Sequence, residues 1–156
     1  MTLLTNRGET DLNWKYEAIE RLKDYDAKKR ALISIPEELR RLKLQSTAIR
    51  SASSDGTAVH GGGSGREDAM LNNIVYRESL KNRLDQTRLW VSATDRALAA
   101  LTDEERLVLD RLYLHPARGN VDRLCQDLNV EKSAVYDRRD RALRHFTVAL
   151  FGTSES

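Results

Sequence analysis

A chain of 156 residues with 32% charged and only 6% aromatic residues fits one small domain plus an appendage, rich in helix and thin in core. Its net charge of +2 is too small to mark nucleic-acid binding by itself, so any basic surface must be local. No run approaches the roughly 18 apolar residues of a membrane span, no signal-peptide apolar run opens the chain, and a lone Cys125 excludes an internal disulfide; the expectation is a cytoplasmic protein.

Residues 1–12 are polar and aperiodic, which reads as a loose tail. A helical pattern follows, with Trp14, Ala18, Leu22 and Tyr25 recurring at spacings of four, four and three. Pro36 interrupts it. With Glu37 and Glu38 behind it, Pro36 suits the first turn of a second helical stretch, on which Leu39, Leu42 and Ile49 form the apolar stripe. One kinked helix and two consecutive helices both satisfy this pattern. Residues 50–66 are a Gly/Ser-rich loop, long for a helix–helix connection, and Ser64 with Glu67 has capping-box spacing for the next helix. That helix, over about residues 66–100, carries Leu80, Leu84, Thr87, Val91, Thr94, Leu98 and Leu101 in alternating four-three spacing, a coiled-coil seam with two polar interruptions. Neither segment buries its stripe alone, so residues 13–101 are expected to fold as an antiparallel helical hairpin.

Thr102 and Glu105 form a second capping-box pattern, opening a separate domain over residues 102–151. Leu107, Leu109, Leu112 and Tyr113 give its first helix an apolar face, and the segment from His115 to Asn120 is a turn by composition. Val121 to Phe146 then has the residue types of a helix-turn-helix. Leu124, Leu128, Val130 and Val135 supply apolar contacts, Cys125 is small enough for the close crossing, and Asn129 suits a turn that needs positive φ. The second helix, residues 131–146, keeps Val135, Ala142, Leu143 and Phe146 inward. Its other residues are the expected DNA contacts: Lys132, Ser133, Tyr136, Asp137, Arg138, Arg139, Arg141 and Arg144. Lys132, Ser133, Tyr136 and Arg139 are placed to meet base edges, and Arg138, Arg141 and Arg144 to meet phosphates. The fold class is therefore all-α, a long hairpin followed by a three-helix helix-turn-helix domain.

The run from Leu101 to Phe151 resembles region 4 of sigma-70-type factors, above all in Asn129-Val-Glu-Lys-Ser-Ala-Val-Tyr136 and Arg141-Ala-Leu143. Gly61-Gly-Gly63, Arg66-Glu-Asp68 and Leu71-Asn72 extend the likeness to the sigma-region-4-like phage and prophage regulators of Gram-positive bacteria, the group containing the ArpU and RinA late-gene activators. The chain departs from that pattern twice: Asn129 replaces the usual turn glycine, and Arg138 and Arg139 stand where an apolar residue is usual. The resemblance implies a transcription regulator with double-stranded DNA as partner, contact with RNA polymerase, and the bacterial host cytoplasm as location. The hairpin is open to homodimerisation. A DNA-packaging recognition subunit, or an interaction module that binds a polymerase subunit instead of DNA, are the competing functions.

No paired carboxylates or Ser-His-Asp set stands out, and His60, His115 and His145 lack metal-ligand spacing. Cys125 has no acid or histidine partner at a telling distance and reads as a packing residue. The glycine run lacks the Lys-Ser/Thr of a phosphate loop. Neither enzyme activity, cofactor nor metal is expected, and no membrane.

Overall fold

The computed structural model describes residues 7–52 and 63–152, and every regular element among them is helical. Part of the expected tail (residues 1–6), the centre of the expected loop (residues 53–62, with His60, Gly61 and Gly62) and residues 153–156 lie outside the described residues. The elements are α1 (Arg7–Ser51), α2 (Gly63–Ala99), α3 (Asp103–Leu109), α4 (Asn120–Leu128) and α5 (Lys132–Phe151). None of the described helices is long and apolar enough to cross a membrane.

Of the two readings of Pro36, a single helix is the one found: α1 runs through it. A mid-helix proline removes one backbone hydrogen bond and crowds the preceding turn, a cost of about 3 kcal/mol. Burial on both sides offsets it, since Ile35 and Leu42 are buried and Leu39 packs against them. At its other end α1 starts at Arg7, inside the segment expected as tail. α2 starts at Gly63, which puts Ser64 inside the helix and not ahead of it as its cap. The α2 start is three residues earlier than expected, within one turn, whereas α1 begins six residues ahead of the expected residue 13.

The chain divides into two compact units, Lys28–Trp90 and the combination of Met1–Ala27 with Val91–Ser156. In the first, Ile35 and Leu42 of α1 share a core with Leu80 and Leu84 of α2. Polar contacts fix the register. Arg66 donates to the Ile49 carbonyl at 2.9 Å, Asn73 Nδ2 donates to the Leu42 carbonyl at 2.9 Å, and the Lys28 ammonium lies 5.7 Å from the centre of the Trp90 ring. Positions ascend in one helix as they descend in the other, so the pairing is antiparallel. The expected seam is largely the buried side of α2: Leu80, Leu84, Thr87, Val91 and Thr94 are buried, as is Leu101 beyond the helix end, while Leu98 is only partly buried. Its polar interruption at Thr87 is satisfied within the helix, the hydroxyl donating to the Arg83 carbonyl at 2.7 Å.

The second unit is built around Trp14, Ala18 and Leu22 of α1, Ala97 near the end of α2, Leu101 and Leu109, and Ala142, Leu143 and Phe146 of α5. Thr102, expected to open a separate domain, opens a helix, and apolar packing runs straight across it. Burying side chains such as Leu22 and Phe146 is worth about 1.5–3 kcal/mol each, and here one core takes in all three stretches of chain. Thr94, the other polar seam residue, accepts from Arg21 Nε at 2.8 Å. Tyr25 donates to Asp95, and burial together with that bond pushes its phenol up to about 12.

Candidate nucleic-acid interface

α3 begins as its sequence predicts. The Thr102 hydroxyl accepts from the Glu105 N–H at 3.2 Å, and the Glu105 carboxylate accepts from the Thr102 N–H at 3.1 Å. The helix then widens into a π-type turn over Asp110–Leu114, closed by the His115 N–H donating to the Asp110 carbonyl at 2.7 Å. No residue pattern announces that widening. It places the His115 ring between two carboxylates, with Nδ1 2.7 Å from Asp110 and Nε2 3.1 Å from Asp26 of α1. The hydrogen bond to Asp110, reinforced by charge from both acids, raises the imidazole above its ordinary range.

Gly119, at φ 78°, turns the chain into α4. Behind it Asn120 is buried and its amide donates to the Arg111 carbonyl, tying the start of α4 to the π-type turn. α4 ends at Asn129, which has φ 53° and ψ 50°, the left-handed conformation anticipated for it. The Asn129 N–H donates to Gln126 at 3.3 Å and the Val130 N–H to Cys125 at 3.0 Å. This pair of reversed bonds is a Schellman closure, which satisfies the last carbonyls of α4 while redirecting the chain. Glu131 is extended, and α5 follows at once. Val108, Leu124 and Val135, one from each of α3, α4 and α5, form the buried centre, with Cys125, Leu128 and Val130 packed against them. Cys125 is thus a packing residue at the helix junction.

Val135, Ala142, Leu143 and Phe146 are fully buried, so the inward face of α5 is the expected one. The helix is longer than expected, reaching Phe151 instead of Phe146. Lys132, Ser133, Tyr136, Asp137, Arg141 and Arg144 are exposed. Arg138 and Arg139 are not. Arg138 is half-buried in an ion pair with Glu104 of α3, and Arg139 is held at 2.9 Å by Asp140. Both flank the inward stripe, one turn after Val135, so their charged ends are drawn sideways. Burial works against the Asp140 carboxylate, yet hydrogen bonds from Arg139 and from Lys15 of α1 outweigh it and keep it below its usual range. Lys15 is the neighbour that no sequence pattern reveals, because it is brought to α5 only by the packing of Trp14 and Ala18.

An open cleft of about 300 Å³ lies beside the α4 start, lined by Pro116, Gly119, Asn120, Lys132 and Tyr136 among others. Among the described residues no group of three or more His, Cys, Asp or Glu is placed to hold a metal ion. No family model, curated protein or solved structure matches this chain. The chemistry of the surface is then what speaks to its use. It is polar, it carries Lys132, Arg141 and Arg144 as exposed cations, and no ion pair engages these three among the described residues. Groups of this kind, along one rigid helix, suit a polyanion better than a small apolar ligand.

Proposed function

We propose that the α1–α2 pair is a helical hairpin followed by a helix-turn-helix over residues 102–151, and that α5 reads double-stranded DNA. The protein is then a transcription regulator of the sigma-region-4-like kind, serving phage or prophage late genes. The observation that carries the reading is the left-handed Asn129 between α4 and α5, closed by two reversed hydrogen bonds over a shared core. A junction of that type holds a short helix against a second one whose N-terminal half stays exposed, which is what entry into a major groove requires. The exposed cations supply the sequence-independent attraction.

The test is a binding titration on duplexes enriched from a randomised pool by the wild-type protein, against scrambled duplexes, at two salt concentrations. Arg141→Ala and Arg144→Ala should each weaken binding to both duplexes and flatten the salt slope by about 0.9 for each phosphate no longer neutralised. Lys132→Ala and Ser133→Ala should weaken the enriched duplex more than the scrambled one. If the wild-type protein enriches no sequence and binds no duplex, the DNA-reading role is wrong. Mass measurement separates the packaging alternative, since a ring of eight or more subunits argues for packaging and a monomer or dimer for a regulator.

A further inference from the structure

Arg139 stands four residues after the buried Val135 and three before the buried Ala142, at the boundary between the core of α5 and its exposed edge. Its Nε donates to one oxygen of Asp140 at 3.0 Å, and its Nη2 lies 2.9 Å from the same oxygen in an ion pair. The same oxygen accepts from Lys15 Nζ at 3.3 Å. The guanidinium carbon lies 5.0 Å from the centre of the Tyr136 ring. With Nε and one side of Nη2 engaged by Asp140, the side-on fork onto a guanine is closed to Arg139, and only the end-on donors of Nη1 and Nη2 stay open. What it does offer is a flat cationic support for an aromatic ring.

We propose that Lys15, Asp140 and Arg139 are a positioning relay that holds the Tyr136 ring ready for contact with the DNA groove. The inference rests on the DNA-reading role proposed above and deepens it: a lysine of α1, outside the helix-turn-helix, sets the sequence preference of α5 through two side chains. Tyr136 is exposed, with only two side-chain torsions to order, so a ring already held loses little freedom on binding. Asp140 would otherwise place a carboxylate beside incoming phosphates. Lys15 and Arg139 together neutralise it.

The experiment uses the full-length protein, the enriched duplex and the scrambled duplex, and reads the ratio of the two affinities. Tyr136→Ala should lower that ratio about tenfold, the scale of one base-edge interaction. Arg139→Lys keeps the charge but not the plane, and should lower it comparably. Asp140→Asn and Lys15→Met should lower it about threefold, with scrambled-duplex affinity rising in Asp140→Asn because a negative charge is removed. In the Tyr136→Ala background neither should lower the ratio further. Additive effects in the double variants would overturn the relay, as would a salt slope flattened by about 0.9 in Lys15→Met, which marks a direct phosphate contact. Lys15→Met carries the test if Asp140→Asn melts early, since Lys15 is partly exposed at the edge of the core. Failure of the wild type to enrich any sequence would remove the DNA-reading role and the relay together; enrichment with additive effects removes the relay alone.

Discussion

Position 129 shows how one backbone angle restricts chemistry. A residue with a Cβ at φ 53° is strained by about 1–2 kcal/mol unless its side chain can hydrogen-bond locally, and Asn is the usual exception to that penalty besides Gly. Asn129→Ala should therefore destabilise the protein by about 1 kcal/mol, while Asn129→Gly should be neutral or slightly stabilising in urea melts. Equal destabilisation by both would mean that the Asn side chain, and not the backbone angle, matters. This angle was legible in the sequence because few residue types tolerate it. The surroundings of His115 were not. Its raised pKa comes from Asp110 five residues earlier and Asp26 in another helix. A group whose folded pKa lies above its unfolded value, about 6.5, contributes stability below that value and loses it as pH rises through the folded pKa. The melting temperature should therefore fall, relative to a His115→Gln variant, as pH rises from about 6 toward about 8. A difference between the two proteins that stays constant over that window would show that His115 does not bridge the acids in solution.

The same contrast holds for whole elements. The four-three seam of α2 predicted its buried side because side chains three and four apart fall on one helix face whatever the partner is. Pro36 did not predict its own outcome: local propensity argues for a break, and the core on both sides of it overrides that preference. Within the Lys28–Trp90 unit, Leu84→Ala should cost about 2–5 kcal/mol, as buried leucine truncations do. Asn73 behaves in the opposite way. It is buried, donates to Leu42, and leaves its Oδ1 without a hydrogen-bond partner among the described residues. An unsatisfied buried acceptor costs about 1–3 kcal/mol, so Asn73→Leu should raise the melting temperature. It should also loosen the pairing register, since a buried amide is a common way to hold one alignment of two helices. Hydrogen exchange along α1 and α2 would read that loosening directly. A lowered melting temperature in Asn73→Leu would mean that the bond to Leu42 outweighs the orphaned oxygen.

At the scale of the whole molecule, the α3–α5 bundle does not bury its core with its own residues alone. Trp14, only 8% exposed, lies in one cluster with Leu109, Leu143 and Phe146, so the first helix is part of the fold that presents α5. Trp14→Ala should cost about 3–5 kcal/mol in urea unfolding. A fragment beginning at Thr102 lacks that cover and should melt earlier than the full chain. A shift under about 0.5 kcal/mol for Trp14→Ala, typical of surface positions, would show that the cluster is not formed. The sequence by itself determined the helical class, the buried faces of α2 and α5, the Thr102 cap and the Asn129 turn. Each of these follows from residues within a few positions of one another, where helix periodicity and allowed dihedrals decide. Tertiary structure alone decided that α1 continues through Pro36, that α1 joins the α3–α5 core, and that Arg138 and Arg139, still partly exposed, pair with Glu104 and Asp140. Those outcomes depend on partners distant along the chain or on how a side chain chooses among several nearby acids. That choice is made by packing and ion pairing, for which the sequence carries no periodic sign.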